Sequence, residues 1–178
     1  MPYGGWRDGD VGSPSEVLRF RYSLLMELML LRHADASFDA PSDFDRRLSE
    51  KGLRQAQEVA AFLKMHHCKP DIVLSSPAVR ARTTAEIVAT ELEIELLECE
   101  WAVPGMNPSD AIHELRGFLR FERVLLVGHQ PDLGELTARL IGTPNSERLH
   151  VRKATLVHLR MLGVENATLE AFIPCRLM

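Results

Sequence analysis

Three short, almost wholly apolar runs punctuate the chain, and each stops abruptly at polar residues. Glu27-Leu28-Met29-Leu30-Leu31 ends at Arg32-His33, Ile72-Val73-Leu74 at Ser75-Ser76, and Val124-Leu125-Leu126-Val127 at Gly128-His129. Apolar runs of this length without polar alternation predict strands covered on both faces, as in a parallel sheet. Between them the period changes. Leu53, Ala56, Val59, Ala60 and Leu63 recur at helical spacing behind Ser49, a suitable N-cap. Ser76-Pro77 predicts a second helix with Pro in its first turn, running through Thr83, Ile87 and Val88. Asn107-Pro108-Ser109-Asp110 opens a third helix carrying Ile112, Leu115 and Leu119, and residues 131–141 read as a fourth. Residues 93–97 are a weaker strand candidate. Residues 154–161 and 168–173, around Gly163-Val164-Glu165-Asn166, read as a C-terminal hairpin.

Strands alternating with helical stretches predict an α/β fold: one domain built on a mainly parallel sheet with helices on both faces. In such sheets ligands bind beyond the carboxyl ends of the strands. That rule gathers Arg32-His33, the segment from Ser76 to Arg80, and Gly128-His129 into one region.

Composition narrows the picture. A chain of 178 residues suits a single domain, which the change of pattern at Met26 places at residues 26–178. Residues 1–25, Gly- and Pro-rich at their start, read as a flexible extension, and Met26 is itself a candidate start of translation. No apolar run approaches the roughly 20 residues of a membrane span, and no secretory pattern opens the chain, so a cytoplasmic location is expected. A formal net charge of −4 argues against a general nucleic-acid binder. Cys68, Cys99 and Cys175 lack CxxC spacing and read as reduced thiols.

The candidate chemistry is phosphoryl transfer. A neutral imidazole at His33 can attack phosphorus without a separate base, and the charge on the transferring group calls for fixed cationic donors. Arg32, Arg80 and His129 are of the right types, since guanidinium presents a planar fork matched to phosphate oxygens. The same residues carry a family resemblance. Leu31-Arg32-His33-Ala34-Asp35-Ala36 resembles the RHG motif of the histidine phosphatase superfamily, the phosphoglycerate mutase-like proteins. Leu48-Ser49-Glu50-Lys51-Gly52 resembles its LTxxG segment, Ser75-Ser76-Pro77-Ala78-Val79-Arg80-Ala81-Arg82-Thr83-Thr84 its SSPxxRaxqTA segment, and Val127-Gly128-His129-Gln130-Pro131 its VGHqP segment. Within the superfamily the short length and the RHADA variant most resemble the SixA-type phosphohistidine phosphatases.

The resemblance implies a metal-independent phosphohydrolase with His33 as nucleophile, Arg32 and Arg80 as phosphate clamps, and His129 as a further transition-state donor. It implies no cofactor, and a phosphohistidine-containing protein or a small phosphorylated molecule as substrate. A phosphomonoesterase of the same superfamily and a non-catalytic phosphate-binding adaptor are the alternatives. Two departures bear on the reading. Ala34 replaces the usual Gly, so its backbone is expected either to avoid positive φ or to bear a modest steric cost. No strong motif surrounds a general acid; Glu100 is the candidate, with Glu98 beside it. Arg82 is expected at the surface, Asp35 either caps a loop, orients a histidine or acts as an acid, and Lys153 adds local positive charge. His66-His67-Cys68 lacks the geometry of a metal site.

Overall fold

A computed structural model describes residues 26–178, and the expected extension at 1–25 lies outside the described residues. Six strands form one sheet: β1 (Glu27–Arg32), β2 (Ile72–Ser75), β3 (Leu96–Glu98), β4 (Arg123–Gly128), β5 (Leu156–Met161) and β6 (Ala167–Ile173). Their spatial order is β3-β2-β4-β1-β5-β6. β1, β4, β2 and β3 run parallel, while β5 lies antiparallel to β1 and pairs with β6 as the expected hairpin.

Alternation along the strands divides the core into two faces. Leu28, Leu30, Leu74 and Leu126 pack on one side with Ile112, Leu115, Leu133, Leu136 and Leu140, which come from helices α3 (Pro108–Leu115) and α4 (Asp132–Leu140). Met29, Leu31, Val73, Leu125 and Val127 pack on the other with Val59, Leu63, Val88 and Leu92, from α1 (Glu50–Met65) and α2 (Val79–Leu92). The central strands are apolar throughout because both of their faces are covered.

The element boundaries differ from the sequence reading where a local bond overrides the pattern. Pro77 precedes α2 rather than entering it: Ala78 is the extended N-cap and takes the first helical bond from Arg82 N–H at 3.0 Å. Glu93 adopts a left-handed conformation (φ 53°) that closes α2, so β3 begins only at Leu96. The third helix ends at Leu115 and continues as a short tight turn, leaving Leu119 outside it. Ala154 has φ 53° and turns the chain before β5, so the hairpin's first strand starts two residues later than expected. Among the described residues no helix is long and apolar enough to cross a membrane. Cys68, Cys99 and Cys175 are free thiols, and burial pushes Cys99 up to about 11 and Cys175 up to about 12.

Candidate active site

β4 lies between β1 and β2, and its carboxyl end holds the loops that leave both neighbours. His33 N–H donates to Gly128 O at 3.0 Å, and Ser76 N–H to Val127 O at 3.0 Å. These bonds fix the start of each loop as an extension of the sheet. The loop after β1 is fastened a second time by α1. Ser49 caps the helix by accepting from Gly52 N–H, its backbone N–H donates to Asp35 O at 3.0 Å, and its hydroxyl donates to Asp35 Oδ2 at 2.7 Å. Gly52 is required by this approach, because a Cβ there would stand 2.0 Å from Asp35 O. Ala34 N–H donates to Thr84 Oγ1 on α2 at 3.1 Å. Ala34 is not among the described residues with positive φ, so the departure from Gly carries no backbone strain.

His33, Arg80 and His129 are brought together in a buried cluster, at 5%, 4% and 3% exposure. The wiring of His33 assigns its protons. Nδ1 lies 2.8 Å from Ala34 O, which can only accept, so Nδ1 carries the hydrogen. Nε2 lies 3.2 Å from Arg80 Nε, which can only donate, so Nε2 carries the lone pair. Burial, assisted by His129, Arg80 and Arg32, pushes the His33 pKa down to about 3 and keeps the ring neutral at pH 7. His129 is pushed down to about 4 by burial and by Arg80 and Arg32. Its ring centroid is 5.3 Å from that of His33. His129 Nε2 meets Ser76 Oγ at 2.8 Å, while Nδ1 is buried without a partner. Ser76 Oγ also accepts from Ala78 N–H at 3.3 Å, which fastens the hydroxyl beside the ring.

Arg32 stands beside this cluster, held through Nη1 to Val151 O at 2.9 Å, with its Nε buried and unpartnered. Burial and the neighbouring Arg80 charge lower its pKa. Two guanidiniums so close together favour an anion between them.

Other candidates make no hydrogen bond to this cluster, although Glu98 pairs with Ser75 across β2 and β3. Glu98 is exposed and 3.9 Å from Arg82, itself part-exposed and bonded to neither histidine, and Glu100 is exposed beyond β3. The bonds uniting His33, Arg80, Ser76 and His129 reach neither glutamate. Asp35 binds Ser49 and Lys153 rather than a histidine, which makes it a loop fastener; those two partners hold its carboxyl below the usual range. Among the described residues no group of three His, Cys, Asp or Glu side chains is placed to hold a metal.

Three contacts were not foreseen from sequence. Asp43, in the loop before α1, accepts from Arg80 Nη1 through its carbonyl and from Nη2 through Oδ2 at 2.9 Å. Thr84 stands one helical turn after Arg80, accepting from Ala34 and donating to Arg80 O. Ser76 buttresses His129. Asp43 sits in a polar loop whose pattern carries no signal, whereas Ser76 and Thr84 lie inside a motif already singled out and were legible in position but not in role.

The mixed six-stranded sheet, with a neutral buried histidine and two arginines at its carboxyl edge, defines an α/β phosphate-handling enzyme. The chain belongs to the histidine phosphatase superfamily, whose branch 1 model matches residues 28–101. It is 31% identical over 131 residues to the phosphohistidine phosphatase SixA homolog of Haemophilus influenzae, covering 67% of this chain and 80% of the relative. With Escherichia coli phosphohistidine phosphatase SixA it shares 30% identity over 121 residues, covering 65% and 74% of the two chains. A solved structure of the protein histidine phosphatase SixA complexed with tungstate superposes with a TM-score of 0.78 at 26% identity, covering 86% of this chain and all of that one.

Proposed function

We propose that this chain hydrolyses phosphohistidine on a protein through a covalent intermediate on His33. The observation that carries the reading is the wiring of that ring: Nδ1–H tied to Ala34 O, and the Nε2 lone pair facing Arg80. In the first step the Arg80 Nε–H bond to Nε2 gives way and turns to the phosphoryl oxygens, and Nε2 forms a bond to phosphorus while the bond to the leaving group breaks and takes its electron pair away. The positive charge that develops on the imidazole is met at Nδ1–H by the Ala34 carbonyl. Arg32, Arg80 and His129 supply donors for the equatorial oxygens, where charge accumulates. Water then attacks the phosphoenzyme, and the electron pair of the N–P bond returns to Nε2. His33 leaves neutral, so that step needs no proton donor for it.

The leaving group decides between substrate classes. An alkoxide needs a proton in the transition state, and general acid catalysis contributes roughly 10²- to 10⁴-fold. A phosphohistidine ring protonated on its second nitrogen leaves as neutral imidazole without one. That neither Glu100 nor Glu98 is hydrogen-bonded into the cluster therefore supports a phosphoramidate over a sugar phosphate. The names of the relatives point the same way. The mechanism uses no metal or cofactor, and reduced thiols at Cys99 and Cys175 fit a cytoplasmic setting.

Purified enzyme, assayed with EDTA throughout on a phosphohistidine protein, a sugar phosphate and an aryl phosphate, tests the proposal. Efficient turnover of the first and poor turnover of the second is expected. Efficient sugar-phosphate hydrolysis, together with loss on the order of 10³-fold in Glu100→Gln or Glu98→Gln, would make the phosphomonoesterase the better reading.

A further inference from the structure

Beside the phosphate site the surface changes character. Two open grooves adjoin there, of about 370 and 420 Å³. The first is lined by Arg32 together with Lys51, His150, Arg152 and Arg176; the second shares His150, Arg152 and Arg176 and extends to Arg148. They form one trough that starts at a residue of the candidate site. Lys51, Arg148, Arg152 and Arg176 are exposed, and among the described residues none of them makes an ion pair. Lys153, on the same wall, is neutralised by Asp35. A chain of net charge −4 therefore keeps unpaired cations together along one path into the site.

We propose that this trough is a docking surface for a protein substrate, receiving an acidic face that surrounds the phosphorylated side chain. The inference rests on the phosphohistidine-protein reading above and specifies the partner. Its cations are long, exposed side chains rather than a buried cage, which suits a broad charged face better than a small free anion. Half-buried Leu149, Leu169, Phe172 and Pro174 lie among them, offering apolar contact that a free anion does not use and a folded or peptidic partner does. Because screening limits exposed charges to about 8 Å at physiological salt, the benefit appears only when acidic groups lie close to the phosphoryl group.

Two synthetic phosphohistidine peptides, identical except for flanking Glu or flanking Lys, test it against the aryl substrate p-nitrophenyl phosphate. Wild-type kcat/KM should be about tenfold or more higher for the acidic peptide, a preference that collapses as salt is raised. In the triple variant Arg148→Glu, Arg152→Glu, Arg176→Glu the preference should vanish or reverse through KM, while p-nitrophenyl phosphate changes less than about twofold, as expected for cations outside the reacting centre. The milder Arg148→Gln, Arg152→Gln pair should fall between, which separates charge from any loss of folding. No wild-type preference, or equal losses on peptide and aryl substrates, overturns the proposal. If neither peptide is turned over, the phosphohistidine reading fails by itself. The surface is then judged by anisotropy of the labelled acidic peptide, whose binding must still weaken in the triple variant. Equally tight binding of an oligonucleotide of matching charge would mark a general polyanion surface and overturn an acidic protein partner.

Discussion

His33 owes its reactivity to a hydrogen-bond pattern that fixes the proton on Nδ1 and leaves the lone pair on Nε2, where Arg80 holds it, so substitutions should be read through that pattern. Arg80→Lys keeps the charge but loses the fork that spans His33 and Asp43. It should reduce kcat/KM by about 10²-fold or more on any phosphorylated substrate, since a point charge cannot reproduce bidentate geometry; near-wild-type kinetics would remove Arg80 from the site. Asp43 predicts the opposite sign. Its carboxylate occupies the same guanidinium that would hold phosphate, and the Arg46 and Arg80 cations keep it ionised by lowering its pKa. Asp43→Ala should therefore tighten inhibition by vanadate, a mimic of the transferring phosphoryl group, by a few-fold, roughly the effect of removing one partly solvated competing charge. Unchanged or weaker inhibition would assign Asp43 a positioning role instead. His33, Arg32, Arg80 and His129 could be nominated from sequence because each ends or follows a clear strand and stands in a segment that resembles a motif of the superfamily. Asp43 could not, because its contact with Arg80 spans 37 positions and depends on how an irregular loop folds back.

At the scale of elements, α1 is tied to the loop that carries the nucleophile through Ser49 and Gly52, and its cap is thereby part of the site's scaffold. Ser49→Ala removes both the N-cap acceptor and the donor to Asp35, and should cost about 1–2 kcal/mol in denaturant unfolding. Gly52→Ala is the sharper probe. Its Cβ meets main chain rather than a flexible tip, so the loop must shift, and both stability and kcat should fall. Retention of both would show that the approach of helix and loop is dispensable. Helix starts at Ser49 and Asn107 were legible because a side-chain cap sits directly before an apolar period. The late start of β3 and the displaced start of β5 were not, since Glu93 and Ala154 take left-handed conformations that residue type does not announce.

For the molecule as a whole, burying two neutral imidazoles links the fold to pH. His33 and His129 titrate near 3 and 4 in the folded state, against 6.5 for an unconstrained histidine. Below about pH 6.5 the unfolded chain binds protons that the folded chain refuses. Their contribution is therefore fully present above that pH and is lost progressively as pH falls towards about 4 and then 3. The melting temperature should decline between about pH 6.5 and pH 5, and His33→Gln should flatten that decline; an equal slope in the variant would mean that other groups govern it. The layered α/β architecture and the gathering of three strand ends followed from hydrophobic period alone. The basic trough did not, because its cations come from separate segments, Lys51, the stretch from Arg148 to Arg152, and Arg176, which only the fold assembles.

The central claim is that the phosphoryl group passes through His33. Rapid mixing with a phosphorylated substrate, quenched in alkali where a phosphoramidate survives, and peptide mapping by mass spectrometry test it directly. One phosphoryl group should appear on the peptide containing His33 within a single turnover, decay as phosphate is released, and be missing from His33→Ala, which should also lack turnover. Full turnover by His33→Ala, or rapid turnover by the native enzyme with no phosphorylated His33 at any time, would contradict the account.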